Sequence, residues 1–181
     1  MSVLRRPLVI ALSCRAAVFL VLAGGLLWAA GSDAEVVATV AATVILVSLI
    51  LSGAVMVWLA ELARRKAAPG AAWLTAQGAT VLLAGMVAPV LLIDDPLIHS
   101  AVVLWIFAGA HGIAGVLEIL ARVSKLSGTV SVAVAAGLAL TILLRPTTEL
   151  LAFLGQAGLV IGLGGVGLAW AAVRTGVRAG R

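Results

Sequence analysis

Charged side chains are scarce in this 181-residue chain, in which Asp, Glu, Lys and Arg together make up only 10% of the residues. A water-soluble domain carries about 25% charged residues, because polar groups must cover its surface. Hydrophobic residues make up 64% of the chain, and its mean hydropathy is +1.26. These proportions exclude a globule surrounded by water and predict an integral membrane protein.

Cysteine occurs once, at Cys14, so the chain cannot build an intrachain disulfide framework. The run "LVIALSC" is unlike a removable signal peptide, which needs an uninterrupted apolar core of about 7–15 residues, because Arg15 follows it directly. Arg5 and Arg6 lack the surroundings of a twin-arginine signal. We therefore expect the N-terminus to be retained. His and Cys do not cluster at metal-ligand spacing, so we expect no metal and no cofactor.

Six apolar segments are separated by charged or turn-forming residues. A helix that crosses the hydrocarbon core needs about 20 mostly apolar residues. The segments lack the alternation of polar and apolar residues that membrane strands show, so an all-α fold is predicted. The predicted transmembrane helices are residues 12–31, 36–60, 71–93, 97–121, 126–144 and 150–173, in a single transmembrane domain that covers residues 1–181.

Basic residues fall almost entirely on one side of the predicted membrane. Of the 12 Lys and Arg residues, only Arg145 lies on the opposite side, and Arg15 is counted with Arg5 and Arg6 at the start of the first span. Positive charge marks the cytoplasmic side, so both termini are predicted to be cytoplasmic. The net charge of +5 is then a topology signal that also favours anionic lipid headgroups, and we expect no binding to nucleic acid.

The spans group into three predicted hairpins, at about 12–66, 71–125 and 126–175. Each has a short outer turn, namely "GSDAE", "DDP" or "RPTTE", and a basic opposite end. The ends "WLAELARRK" and "GVLEILARVSK" match best. They place Glu61 four residues before Arg65 and Glu118 four residues before Arg122, which is the spacing of a helical ion pair.

The stretch "LLAGMVAPVLLIDDPLIHSAVVLWIFAGAHGIAGVLEILAR" resembles the HdeD-like family of small bacterial membrane proteins. In that family a glycine-containing helix leads to a short proline turn, and the next helix ends in a Gly-(apolar)-x-x-(Glu or Gln)-(apolar)-x-x-Ala-x-x-Arg-like pattern. The resemblance covers roughly residues 15–175, although the first turn lacks the proline and the third hairpin lacks the glutamate. It implies a six-helix protein of the bacterial inner (plasma) membrane linked to acid-stress tolerance, with no established catalytic activity.

The segment "IGLGGVGLAW" contains Gly162, Gly164 and Gly167 in the spacing of a dinucleotide-binding loop. Such a loop follows a strand, opens a helix and is joined by an acidic residue about 20 positions later. Here the glycines lie inside an apolar span, and no acidic residue follows Glu149. We therefore exclude a dinucleotide site.

Glycine also recurs every three or four residues, which predicts a smooth face on two helices. The fourth span carries Gly109, Gly112 and Gly115, and the sixth carries Gly155, Gly158, Gly162 and Gly165. Small residues let membrane helices approach closely, so both stripes are predicted to be packing surfaces. They could pack within one chain or between the subunits of a homo-oligomer.

Polar side chains inside the spans are candidates for a proton relay or a buried polar network. His111, Glu118 and Arg122 lie on one face of the fourth span, and ionisable groups in lipid usually face a bundle interior or a wet cavity. The structural alternative is that Glu118 pairs with Arg122 at the cytoplasmic surface while His111 bonds a neighbouring helix. Gln77 and Gln156 are expected to form hydrogen bonds between helices.

The outer turn "IDDPLIH" brings Asp94, Asp95 and His99 together around Pro96. These residues could attract a cation weakly. An acidic N-cap followed by proline is also the ordinary start of a helix, and we favour that interpretation.

These features favour a non-enzymatic membrane protein. An enzyme would need reactive groups at one depth, and the only acids near span interiors, Glu61 and Glu118, sit at the cytoplasmic edge. We predict a role in acid or envelope stress tolerance through packing, assembly or partner binding. The alternative is a small proton or ion channel or transporter that uses His111 and Glu118. The lipid bilayer is the expected partner, and the sequence indicates no small-molecule ligand.

Overall fold

The computed structural model describes residues 4–31, 34–68, 70–87, 96–122, 124–144 and 150–177. Within these ranges the chain forms six α-helices, which confirms the predicted all-helical fold. They are α1 (Arg5–Ala30), α2 (Ala34–Arg65), α3 (Ala71–Val87), α4 (Pro96–Leu120), α5 (Lys125–Leu144) and α6 (Leu150–Val177).

Five of the six helices are long and apolar enough to cross a membrane. The remaining helix, α3, is apolar but is shorter, with 17 residues. Its predicted end at residue 93 lies outside the described residues. Some helices continue beyond the apolar run, since α1 starts at Arg5 and α2 ends at Arg65. Arginine is a good helix former, so the backbone stays helical past the apolar residues. This is the architecture of a helical membrane protein.

Capping fixes the short connection between α4 and α5. The backbone N–H of Ser127 donates a hydrogen bond to Ser124 Oγ at 3.2 Å, as expected for an N-cap serine. On the other side of this connection α4 ends at Leu120, and Arg122 adopts a left-handed φ of 54°. The connection between α2 and α3 lies against it, because a Cβ on Gly70 would be 3.0 Å from the carbonyl oxygen of Ala121.

The helices form a closed ring. Each packs against its neighbours in sequence, and α6 returns to α1. The most extensive packing joins α1 to α6, α2 to α3 and α4 to α5, whereas the partners within each predicted hairpin touch less. The three-hairpin repeat therefore stays a prediction, and the strongest contacts follow a different pairing.

The glycine stripe of α6 is covered by α1. Gly155 lies against Ala30, Gly158 against Leu27, Gly162 against Ala23 and Gly165 against Leu20. The contacts step down α1 as they step up α6, so the two helices are antiparallel. A Cβ on Gly165 would lie 2.9 Å from Leu20 Cγ, which is closer than the roughly 3.5–4.0 Å that carbon atoms prefer. These four glycines therefore pack within the chain.

The glycine stripe of α4 faces α5 at two of its three positions. A Cβ added to Gly112 would lie 3.2 Å from the Cβ of Ala135. A Cβ added to Gly115 would lie 2.7 Å from the carbonyl oxygen of Gly128. Gly109 is exposed with nothing within 4 Å of its Cβ position, so it does not pack on α5, and a role between subunits stays a prediction. Two steps of three residues rotate by about 120° around a helix with about 100° per residue, which carries Gly109 away from the face of Gly115.

The glycines that mimic a nucleotide loop serve two packing surfaces of α6. Gly162 faces α1, whereas Gly167 faces Val130 of α5. Gly164 lies between Val134 of α5 and Phe19 of α1. The spacing of these three residues follows from contact with two neighbouring helices, and all three lie inside a continuous helix.

Candidate functional site

A buried ion pair joins α1 to α4 inside the bundle, near the C-terminal end of α4. Arg15 Nη1 donates a hydrogen bond to Glu118 Oε2 across 3.1 Å, and the two side chains are 2% and 0% exposed. Arg15 lies in the first half of α1, and Glu118 lies in the last turn of α4. The pair therefore links residues 103 positions apart in the sequence.

Three further side chains bond to this pair. Arg15 also donates to Ser127 Oγ at 3.3 Å and to Ser131 Oγ at 3.0 Å, and Gln77 Nε2 donates to Glu118 Oε2 at 3.2 Å. All five residues are buried. We name Arg15, Gln77, Glu118, Ser127 and Ser131 the central polar cluster, which draws on α1, α3, α4 and α5.

The local sequence explains how α5 reaches the cluster. Ser127 and Ser131 are four residues apart, so they lie on one face of α5. On the same helix, a Cβ on Gly128 would be 2.7 Å from the carbonyl oxygen of Gly115 in α4. The two backbones therefore touch here, which brings both hydroxyls close to the helix that carries Glu118.

The charges of the cluster balance, because one guanidinium faces one carboxylate. Removing an ion from water costs several kcal/mol, and mutual attraction offsets this only when the remaining polar atoms are also bonded. The hydroxyls of Ser127 and Ser131 supply such bonds to the guanidinium, and the amide of Gln77 supplies one to Glu118 Oε2. The ion pair is therefore held at a defined position within the apolar bundle.

His111 lies deeper in the bundle, about 10 Å from Glu118 along α4 at 1.5 Å per residue. Its ring stacks on Phe107 with centroids 4.1 Å apart and meets Phe19 edge-on at 5.0 Å. His111 Nδ1 lies 3.1 Å from the carbonyl oxygen of Phe107. A carbonyl oxygen can only accept, so Nδ1 carries the hydrogen and Nε2 of the neutral ring is an acceptor.

Four buried polar atoms of the bundle have no hydrogen-bond partner within the described residues. They are Ser52 Oγ, Gln77 Oε1, Glu118 Oε1 and His111 Nε2. Leaving a buried polar atom unpaired costs about 1–3 kcal/mol, so such atoms call for a functional explanation. The carboxylate and the imidazole among them can each take up a proton.

The structure corrects two predicted contacts. Glu118 pairs with Arg15 and not with Arg122, which is exposed, because α4 ends at Leu120 and the left-handed backbone at Arg122 interrupts the helix that an i, i+4 pair requires. His111 bonds a carbonyl oxygen of its own helix, and its contact with α1 includes the ring of Phe19.

The other predicted residues lie in several places. Gln77 is in the cluster, whereas Gln156 is half-buried on α6 and takes no part in it. The predicted ion pair between Glu61 and Arg65 is confirmed at 2.8 Å, and Arg64 joins it. Asp94 and Asp95 lie outside the described residues, and Pro96 is the first residue of α4.

Sequence reasoning missed the role of Arg15, which it counted as a basic residue at the membrane surface. A signal was present, because Arg15 lies three residues inside the span predicted at 12–31 and apolar residues flank it on both sides. Ser52, Ser127 and Ser131 carried no comparable signal. Serine is common in membrane helices, where its hydroxyl can bond its own backbone, as Ser48 does here with the carbonyl oxygen of Ile45.

Comparison with known proteins gives no relative, since the chain is matched by no family model, no curated protein and no solved structure. The resemblance to the HdeD-like family therefore rests on the residues that carry it. Within the described ranges, no three His, Cys, Asp or Glu side chains come together as a metal site requires. The central polar cluster and His111 are thus the candidate functional site.

Proposed function

We propose that the protein is a non-enzymatic, multi-pass protein of the bacterial inner membrane that acts in acid or envelope stress tolerance. The resemblance to the HdeD-like family implies this role. The observation that carries it is the packed centre of the bundle, in which Arg15 and Gln77 both donate a hydrogen bond to Glu118. A self-bonded centre suits a protein that acts through its assembly or through a partner better than one with an open substrate site.

Survival under acid tests this role. The full chain is expressed in an acid-sensitive bacterium, and survival after strong acid is compared with survival in neutral buffer. We expect the wild type and Gly109→Ala to raise survival, and Gly115→Leu to abolish the gain, because only Gly115 meets a backbone atom of α5. Equal survival with and without the wild-type chain contradicts the proposal.

We propose proton transfer through the membrane as the second candidate function, with His111 and Glu118 as the proton-carrying groups. The unpartnered Nε2 of His111 and Oε1 of Glu118 favour it. Both atoms are proton acceptors, both are buried, and their residues are seven positions apart on α4. Ionisable groups in such places are functional candidates in membrane proteins.

Proteoliposomes that contain a pH-sensitive dye test proton transfer. We expect a proton flux with the wild type, and a loss of flux with His111→Ala and with Glu118→Gln. Glu61→Gln is the matched control, because Glu61 is an exposed partner of Arg64 and Arg65 outside the cluster. A wild-type flux no larger than that of empty liposomes contradicts this candidate function.

We further propose that the basic end of the bundle faces the cytoplasm, together with both termini. Arg64 and Arg65 end α2, and Arg174 lies in the last turn of α6, which supports this orientation. Protease digestion of a C-terminal tag in spheroplasts and in inverted vesicles tests this orientation.

A homo-oligomer is a further proposal. Because α1 covers the glycine stripe of α6, the interface between subunits must use another face. Crosslinking in membranes tests for the oligomer.

A further inference from the structure

The three most extensively packed helix pairs use the same kind of contact. In α2–α3 the glycine Gly53 meets Leu82, in α4–α5 Gly112 meets Ala135, and in α6–α1 Gly165 meets Leu20. Each of these contacts joins a glycine of an even-numbered helix to one residue of the odd-numbered helix beside it. The third pair consists of the first and last helices of the chain.

Contacts through α3 place two buried polar residues at similar depth. Gln77 of α3 bonds Glu118 of α4, and Leu82, five residues further along α3, meets Gly53 of α2. The start of α3 lies beside the end of α4, because Gly70 contacts Ala121, so the two helices run in opposite directions. Ser52, next to Gly53, therefore lies within about one turn of the level of His111, which is seven residues before Glu118, and α2 and α4 are in contact. Both carry an unpartnered atom, Ser52 Oγ and His111 Nε2.

The two donors to Glu118 come from different helices. Arg15 lies on α1, and Gln77 lies on α3. Both donate to Glu118 Oε2. This second layer lies about 10 Å from the layer of Ser52 and His111, as seven residues of α4 require.

The unpartnered atoms decide what can bind between the two layers. Glu118 Oε1, Gln77 Oε1 and His111 Nε2 are acceptors in the assigned tautomer, and only Ser52 Oγ can also donate. Their ligand must therefore donate hydrogen bonds. Arg15 and Glu118 already balance in charge, so an added cation would be an unpaired buried charge, which is strongly unfavourable. A small neutral donor fits, and water is the one that two to four polar partners normally hold inside proteins.

We propose that Ser52 Oγ, His111 Nε2, Gln77 Oε1 and Glu118 Oε1 form a binding site for a short file of water molecules inside the membrane-spanning bundle. As a proton route this site rests on the second candidate function, since such a file connects Glu118 to His111. The Glu118 carboxylate first takes up a proton from outside the site. A water that then receives this proton from the carboxyl gives one of its own to the next water, and the last gives one to His111 Nε2. The oxygen atoms stay in place, and one proton moves from the carboxyl to the imidazole.

Water-edited solid-state NMR on the full chain in lipid vesicles tests the site. The chain has 2 histidines, so the His99→Asn variant gives a single imidazole signal from His111. We expect magnetisation to pass from water to the His111 ring and to the Gln77 side-chain amide. No transfer to either group overturns the proposal, and this measurement requires no substitution in the site.

Ser52→Val and Ser48→Val form a matched pair for the second part of the test. Both serines are buried on α2 one turn apart, but Ser48 Oγ already bonds the carbonyl oxygen of Ile45. We expect at least a twofold weaker transfer to His111 in Ser52→Val and none of this loss in Ser48→Val. Equal transfer in the two variants overturns the part of Ser52. Water transfer without proton flux keeps the water site and excludes it as a proton route. Proton flux without water transfer excludes the water site and keeps proton transfer as a candidate function.

Discussion

At the scale of single residues, the ion pair between Arg15 and Glu118 is the contact at which a single substitution is expected to be most costly. Its two charges are nearly inaccessible to solvent, and they are bonded to each other across 3.1 Å. A buried pair of this kind adds little net stability compared with apolar residues, but a single charge left behind is strongly destabilising. The consequence appears in a double-mutant cycle.

We predict that Arg15→Met and Glu118→Gln each lower the free energy of unfolding by about 3–5 kcal/mol, because each leaves an unpaired buried charge. The double variant is expected to lose less than the sum of the two losses, with an interaction free energy of about 1–3 kcal/mol. Unfolding in mixed micelles measures all four proteins. Glu61→Gln is the exposed control and should leave the unfolding midpoint unchanged; strictly additive losses would show that the pair is not coupled.

His111 allows stability and function to be separated. His111→Phe keeps an aromatic ring between Phe107 and Phe19 and removes the unpartnered Nε2. The lost hydrogen bond from Nδ1 contributes about 1 kcal/mol, which relief of the unpaired acceptor offsets. We therefore predict a change of less than about 1.5 kcal/mol in the free energy of unfolding, together with a complete loss of proton flux. A folded variant that retains wild-type flux would exclude His111 from the route.

At the scale of helices, Gly115 and Gly109 share the spacing of one glycine stripe, but only Gly115 packs against a neighbouring helix. A Cβ on Gly115 would lie 2.7 Å from a backbone oxygen of α5, whereas Gly109 has free space. Backbone cannot rotate away as a side chain can, so α4 and α5 must separate. We predict that Gly115→Ala destabilises the bundle by about 1–3 kcal/mol, while Gly109→Ala is neutral or stabilises it by up to about 1 kcal/mol. Thermal unfolding in detergent measures both, and equal effects would refute the assigned contact.

The sequence predicts helix positions well because lipid selects apolar runs of a fixed length. The span predicted at 126–144 is α5 (Lys125–Leu144), and the one at 97–121 is α4 (Pro96–Leu120). Helix ends are harder to predict, since local bonds decide them. Ser124 starts α5 so close to α4 that Arg122 falls in the turn. Because Arg122 lies in this turn, it does not form the predicted ion pair with Glu118, which pairs with Arg15.

Composition also does not determine how each helix is rotated about its axis, and this rotation decides which side chains face the bundle interior. The ends "WLAELARRK" and "GVLEILARVSK" align Glu61 with Glu118, yet Glu61 is 37% exposed and Glu118 is fully buried. Each helix here is apolar on most of its sides, so hydropathy alone could not have shown which of the two glutamates faces the bundle interior.

At the scale of the whole molecule, α1 closes the ring. It covers the glycine stripe of α6 and sends Arg15 across to α4. Since α6 and α1 are antiparallel, Val177 and Arg5 lie at the same end of the bundle. This is the end at which short connections join α2 to α3 and α4 to α5. A covalent link from α6 to α1 would therefore make a third connection of the same kind.

We predict that a circular permutant folds when a short flexible linker joins residue 181 to residue 1 and the chain is opened within 66–70. The order then becomes α3, α4, α5, α6, α1, α2, and every helix keeps its direction through the membrane.

Opening within 88–95 is the matched control, because the new first helix, α4, would have to cross in the opposite direction from the native first helix. We expect native unfolding behaviour and an intact coupling between Arg15 and Glu118 in the first permutant, and failed or inverted insertion in the second. If both permutants insert equally, or if the first fails while a linked but unopened chain folds, this prediction is wrong.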